Sequence, residues 1–94
     1  MKPEKTLTLH PQGKKGVNID LGKYNCLKEF ILETLFKKGE ITFTDLFNLS
    51  IKALQPTFQG KVGWYLVSVK LDLEAREMIE RIPKTSPHVV RLKK

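Results

Sequence analysis

The residues able to do chemistry are few and scattered. His10 and His88 lie far apart, and neither has a Cys or His partner at metal-ligand spacing. Both fall in segments that read as hairpins. Cys26 falls in a helical stretch with no base beside it, so a buried structural thiol is the expected role. Ser50, Ser68 and Ser86 have no nucleophile context. The acids are scattered over helix surfaces, with no pair poised for acid–base work. Lys14 and Lys15 stand between glycines in PQGKKG and could cradle a phosphate. Their spacing is not that of a phosphate-binding loop, and no apolar strand runs into a helix there, so a solvated turn is the better reading. Trp64 and Tyr65 could stack on bases, as in single-strand binders. On a helix this apolar they read better as packing residues. No enzyme, cofactor or metal is expected.

Charge is the remaining signal. The chain has 94 residues and a formal net charge of +7. Residues 1–23 carry five Lys against two acids, residues 24–58 four against four, and residues 59–94 eight Lys or Arg against four. The surplus stands at the two ends. That distribution suits a polyanionic partner, although charge also serves solubility. An apolar share of 40% and this length imply one globular domain with a modest core. No apolar run approaches a membrane span, and MKPEKTLTLHPQGKKG lacks the apolar core of a signal peptide. A single cysteine agrees with a reducing compartment. A cytoplasmic protein with no membrane partner is expected.

The elements follow from periodicity. Thr6–His10 and Val17–Asp20 alternate around the turn chemistry of PQGKKG, so 6–20 reads as a hairpin or two short strands, with Leu7, Leu9, Val17 and Ile19 seeking cover. Asp20 is a plausible cap for a first helix over 21–38. Its stripe is Tyr24, Leu27, Ile31 and Leu35, and its end is marked by Lys37, Lys38 and Gly39. EITF is a short strand. Thr44 is expected to cap a second helix beginning at Asp45, with Leu46, Phe47, Ser50, Ile51 and Leu54 inward and Pro56 as its limit. After the loop QPTFQG, a third helix runs from about Val62 to Arg76 or Glu77. Met78–Ile82 and His88–Leu92 are β-prone around PKTSP, a second hairpin.

This order resembles a winged helix-turn-helix domain. GEITFTDLFNLSIKAL is similar to the strand and second helix of that family, and VSVKLDLEAREMIERI to its recognition helix entering the wing. The whole chain, with its HPQGKKGVNID lead-in, also resembles a small, poorly characterised bacterial winged-helix family. The resemblance implies an α+β fold: three helices, a short strand and a C-terminal β-hairpin wing over 21–94. Residues 1–20 would form an N-terminal β extension packed on it. It also implies DNA binding of the transcription-regulator type. One residue departs from the pattern. Glu77 stands where the family usually has Gly, so either the helix runs longer or Glu77 takes a left-handed conformation.

The third helix is a poor reader of DNA. At 100° per residue, Val62, Leu66, Val69 and Leu73 form a core face. Trp64, Val67, Leu71 and Ala75 stand opposite, where base-reading side chains belong. The flanks hold Lys61, Ser68, Asp72 and Arg76 on one side and Lys70, Glu74 and Glu77 on the other. A helix apolar on two faces should be covered on both. Either the N-terminal hairpin or a second protomer would cover Trp64, Val67 and Leu71.

The wing is better suited to phosphate. Arg81, Lys84, His88, Arg91, Lys93 and Lys94 concentrate charge there, and Lys14, Lys15, Lys61 and Lys70 could add to it. The leading expectation is therefore double-stranded DNA held through phosphates by wing and termini. The alternative is a protein-interaction or homodimerisation module that uses Trp64, Val67 and Leu71 without DNA.

Overall fold

A computed structural model describes residues 4–10, 12–13, 16–84 and 88–93. It is an α+β arrangement of three helices and two small antiparallel sheets. Strands β1 (Lys5–Leu7) and β2 (Asn18–Asp20) pair first. Helix α1 (Leu21–Lys38) starts where the Asp20 carboxylate accepts from the Lys23 N–H at 3.0 Å, and it buries Tyr24, Leu27, Ile31 and Leu35. Gly39, at φ 81°, closes the helix by donating its N–H to the Leu35 carbonyl at 2.8 Å. Cys26 points away from the buried stripe and is exposed, contrary to the buried thiol expected.

Strand β3 (Glu40–Thr42) runs straight into helix α2 (Phe43–Leu54). The cap is Thr42, not Thr44: its hydroxyl accepts from the Asp45 N–H at 3.1 Å, so the helix begins two residues early. Tertiary contacts decide between the two threonines. The Phe43 N–H donates to the His88 carbonyl at 2.9 Å, and the Phe43 ring stacks on the His88 imidazole. Leu46 and Ser50 face the core.

Helix α3 (Val62–Ala75) buries Val62, Leu66, Val69 and Leu73 between α1 and α2. Gly63 lets α2 approach closely: a Cβ there would meet the Phe47 ring at 2.6 Å. The helix ends in a Schellman turn. The Met78 N–H donates to the Leu73 carbonyl and the Glu77 N–H to the Glu74 carbonyl, both at 3.0 Å. Glu77 takes φ 61°, the second of the two outcomes its position allowed. A Glu77→Gly substitution should therefore raise stability by about 1 kcal/mol, because only a side chain makes that conformation unfavourable. The shift is read as a higher urea midpoint at constant slope.

Strands β4 (Ile79–Ile82) and β5 (Val89–Leu92) complete a three-stranded sheet in the order β3-β5-β4. Ile41 pairs Val90, and Arg81 pairs Val90 from the other side. Ile41, Ile79 and Val90 deliver their side chains to the single core formed with the helices. No helix is long and apolar enough to cross a membrane among the described residues.

The N-terminal sheet turns the opposite face inward from the one its leucines suggested. Thr6 pairs Ile19, and directly paired residues share a face. Thr6 and Thr8 thus join Ile19, while Leu7 and Leu9 point outward and are exposed. Thr8 tolerates burial because its polar groups are satisfied locally. Its N–H donates to the Val17 carbonyl at 2.9 Å, and its hydroxyl accepts from the Val17 N–H at 2.9 Å.

Candidate nucleic-acid interface

Three elements meet along one side of the molecule: α3, the β4–β5 hairpin, and the segment after β1. A buried carboxylate ties the first and last together. Asp72 is wholly buried on α3. Its Oδ1 accepts from the Leu9 N–H at 2.8 Å, and its Oδ2 accepts from the Tyr24 hydroxyl. The Arg76 Nε, one turn on, donates to both oxygens at 3.0 Å. Burial first, and then the bond to Asp72, push the Tyr24 phenol up to about 12, so it remains the donor at neutral pH. The bond to Asp72 holds Arg76 above its ordinary value. Asp72, Tyr24 and Arg76 form a structural clasp that fastens the N-terminal segment onto α1 and α3. Sequence reading left Asp72 on a helix flank.

Within the chain, the cover over the outer face of α3 is only partial. Leu71 is half-buried in a cleft it shares with His10, Gln12, Lys70, Glu74 and Arg81. Trp64 and Val67 remain 52% and 39% exposed. The N-terminal segment brings to α3 the Leu9 N–H and, beside Leu71, His10 and Gln12, not the leucine side chains expected.

The basic residues divide into two groups. Lys70 is 5% exposed. Its ammonium lies 2.6 Å from Glu74 Oε1 and 5.2 Å from the centroid of the Phe43 ring. His88 is half-buried, stacked on the same Phe43 ring at 5.2 Å and 13°. Burial, and then the charge of Lys70, lower the His88 pKa, so the imidazole is neutral at physiological pH. Lys70 and His88 therefore pack the junction of α2, α3 and the hairpin, and as placed they do not offer cations to a partner. This corrects the role expected for both.

Lys61, Arg81 and Lys84 are exposed. Lys61 precedes α3, and Lys84 follows β4 with φ 64°. Arg91 and Lys93 share one acid: Glu80 lies 3.4 Å from Arg91 Nε and 4.0 Å from Lys93 Nζ. Both cations are partly exposed, and such surface pairs are weak enough to exchange partners. Lys14, Lys15, Ser86 and Lys94 lie outside the described residues. No group of three or more His, Cys, Asp or Glu is placed to hold a metal ion among the described residues.

The first turn of α3 is held rigidly. Gln55 donates from Nε2 to the Gly60 carbonyl at 2.8 Å and accepts at Oε1 from the Val62 N–H at 3.1 Å. Gly60, at φ 106°, has no room for a side chain, because a Cβ would lie 2.9 Å from the Tyr65 ring. Tyr65 packs edge-on against Phe58 at 5.4 Å and against Trp64 at 4.9 Å. The Lys23 ammonium stands 4.8 Å from the centre of the Tyr65 ring.

No curated protein and no solved structure matches the chain. Residues 5–90 match a family described as Family of unknown function (DUF6958), which takes in nearly every element described above, and the chain belongs to that family.

Proposed function

We propose that the chain is a winged helix-turn-helix protein that holds double-stranded DNA through its phosphates. The order of elements supports the fold reading: a short strand between the first two helices pairs the far strand of the terminal hairpin, giving β3-β5-β4. In such a domain the hairpin is the wing and α3 the helix presented to DNA. The observation that carries the function is the pair of exposed cations, Arg81 and Lys84, on that hairpin. Lys61 at the start of α3 adds a third, and Arg91 and Lys93 can join by releasing Glu80. Base reading is not part of the proposal. Lys70 is buried, and the outward residues of α3 include Trp64 and Val67, which lack the paired donors and acceptors that distinguish base edges.

The test is fluorescence anisotropy with two labelled duplexes of unrelated sequence. Both should bind with similar affinity, and Arg81→Ala with Lys84→Ala should weaken both alike. Strong preference for one duplex would contradict phosphate-only recognition. One observation favours a second reading, a protein-interaction module without DNA: Trp64 and Val67 form an exposed apolar surface on α3. That reading predicts no duplex binding at any salt concentration.

A further inference from the structure

We infer that Trp64 is a stacking platform for an unpaired nucleobase, so that the preferred ligand is a duplex adjoining single-stranded nucleotides. The inference rests on the phosphate-binding reading and names the form of nucleic acid it requires. Trp64 is 52% exposed on the first turn of α3. The Tyr65 ring packs against its indole at 85° and 4.9 Å. The Gln55 brace and the Gly60 turn in turn hold the backbone around Tyr65. A platform held this way loses little freedom when a base settles on it.

Two further features suit a polynucleotide. Lys61 stands one turn before Trp64 on neighbouring sides of the helix, and Lys23 lies over the adjoining Tyr65 ring. The first turn of α3 contains no acidic residue. A phosphate flanking the stacked base therefore meets cations and no carboxylate from that turn. Paired bases within a duplex present only their edges to this surface. Against an edge, indole offers a single donor, whereas an unpaired base offers the whole of its π face. Val67, 39% exposed and one turn on, adds to the exposed apolar surface of the helix.

The probes are a DNA duplex sealed at its ends by non-nucleotide linkers and an otherwise identical duplex with one end opened to carry a short thymidine overhang. Trp64 is the one tryptophan in the chain, so its emission reports on this site alone. The overhang should bind about tenfold more tightly than the sealed duplex and should quench the emission, given the strength of base–aromatic stacking. Trp64→Leu should abolish the preference and leave affinity for the sealed duplex unchanged, while Trp64→Phe should retain most of it. Equal affinity for the two probes, unmoved emission on overhang binding, or a preference that survives Trp64→Leu would each overturn the inference and leave phosphate binding standing. Failure of both probes to bind at low salt would overturn phosphate binding and the inference together. A wild-type dimer converted to monomer by Trp64→Leu would assign the surface to a second copy of the chain instead.

Discussion

Asp72→Ala should lower stability by about 2–6 kcal/mol, the cost of leaving two buried donors without an acceptor. The side chain is wholly buried and answers three donors: the Leu9 N–H, the Tyr24 hydroxyl and the Arg76 guanidinium. Alanine leaves the first two without an acceptor in a site that had excluded water, and each such loss costs about 1–3 kcal/mol. Arg76 suffers less, because its side chain is partly exposed and can turn to solvent. A domain of this size has only about 5–15 kcal/mol in total, so the variant should unfold at a much lower urea concentration. Asp72→Asn is the control. It keeps the shape and one acceptor oxygen but loses the charge and replaces the second acceptor with an NH2 donor. Only the Tyr24 hydroxyl can accommodate that donor, by turning to accept, so the variant should recover part of the loss and not all of it. Equal midpoints for Asp72→Ala and the wild type would remove the clasp from this account.

Gly16→Ala should cost about 2–3 kcal/mol, through the loss of two or three hydrogen bonds of about 1 kcal/mol each. A Cβ at Gly16 would overlap the Thr8 carbonyl oxygen and approach the Thr8 hydroxyl at 2.9 Å. The main clash is with backbone, which cannot swing aside as a side-chain tip would. The chain must therefore part where Thr8 and Val17 exchange bonds: Thr8 N–H to the Val17 carbonyl, Val17 N–H to the Thr8 hydroxyl, and Thr8 hydroxyl to the Val17 carbonyl. Leu9 is the next residue, and its N–H is the one that Asp72 holds. Loosening Thr8 thus weakens the clasp as well. The two substitutions share partners, so the double variant should be less destabilised than the sum of the singles. Amide exchange should show the effect locally, with the Leu9 and Val17 amides losing protection before those of α1. Uniform loss of protection across all three helices would place Gly16 in the global core instead.

Much of the framework was legible because local signals and burial agree there. The first helix carries a cap at Asp20, an apolar stripe and a glycine stop, and all three mark the same boundaries. The core face of α3 was legible for the same reason: Val62, Leu66, Val69 and Leu73 have no competing assignment. The errors fall where two local solutions were equally good. Thr42 and Thr44 can each cap a helix, and the choice belongs to Phe43, whose partner His88 is distant in sequence. In the N-terminal strand both alternating sets are acceptable. Leu7 and Leu9 promised more burial, but the register with β2 turned Thr8 inward, where Val17 satisfies it.

The candidate site was less legible, because burial of charge depends on partners that spacing does not reveal. Asp72 and Lys70 look like surface residues of an amphipathic helix. Each has an oppositely charged residue four positions on, Arg76 and Glu74, a pattern common on solvated faces. Their burial comes from elsewhere: a backbone N–H of the N-terminal segment covers Asp72, and the Phe43 ring lies beside Lys70. The two apolar faces of α3 are legible in the sequence; within the chain the N-terminal segment leaves Trp64 and Val67 of the outer face uncovered. Trp64 and Val67 are left exposed beside Lys61, with no acid in the same turn. At that end of the helix the combination supports a nucleic-acid surface better than a solvated helix, since an exposed aromatic ring beside a lysine suits a polyanion with aromatic bases.

The proposed phosphate contact is tested most directly by the salt dependence of duplex binding. The affinity of the wild-type chain for a labelled random duplex should fall linearly with salt on logarithmic axes. Arg81→Ala with Lys84→Ala should make that slope shallower by about 1.8, or about 0.9 for each phosphate contact removed. A slope that the double substitution leaves unchanged, or no binding at the lowest salt, would contradict the assignment of the hairpin as the element that holds DNA.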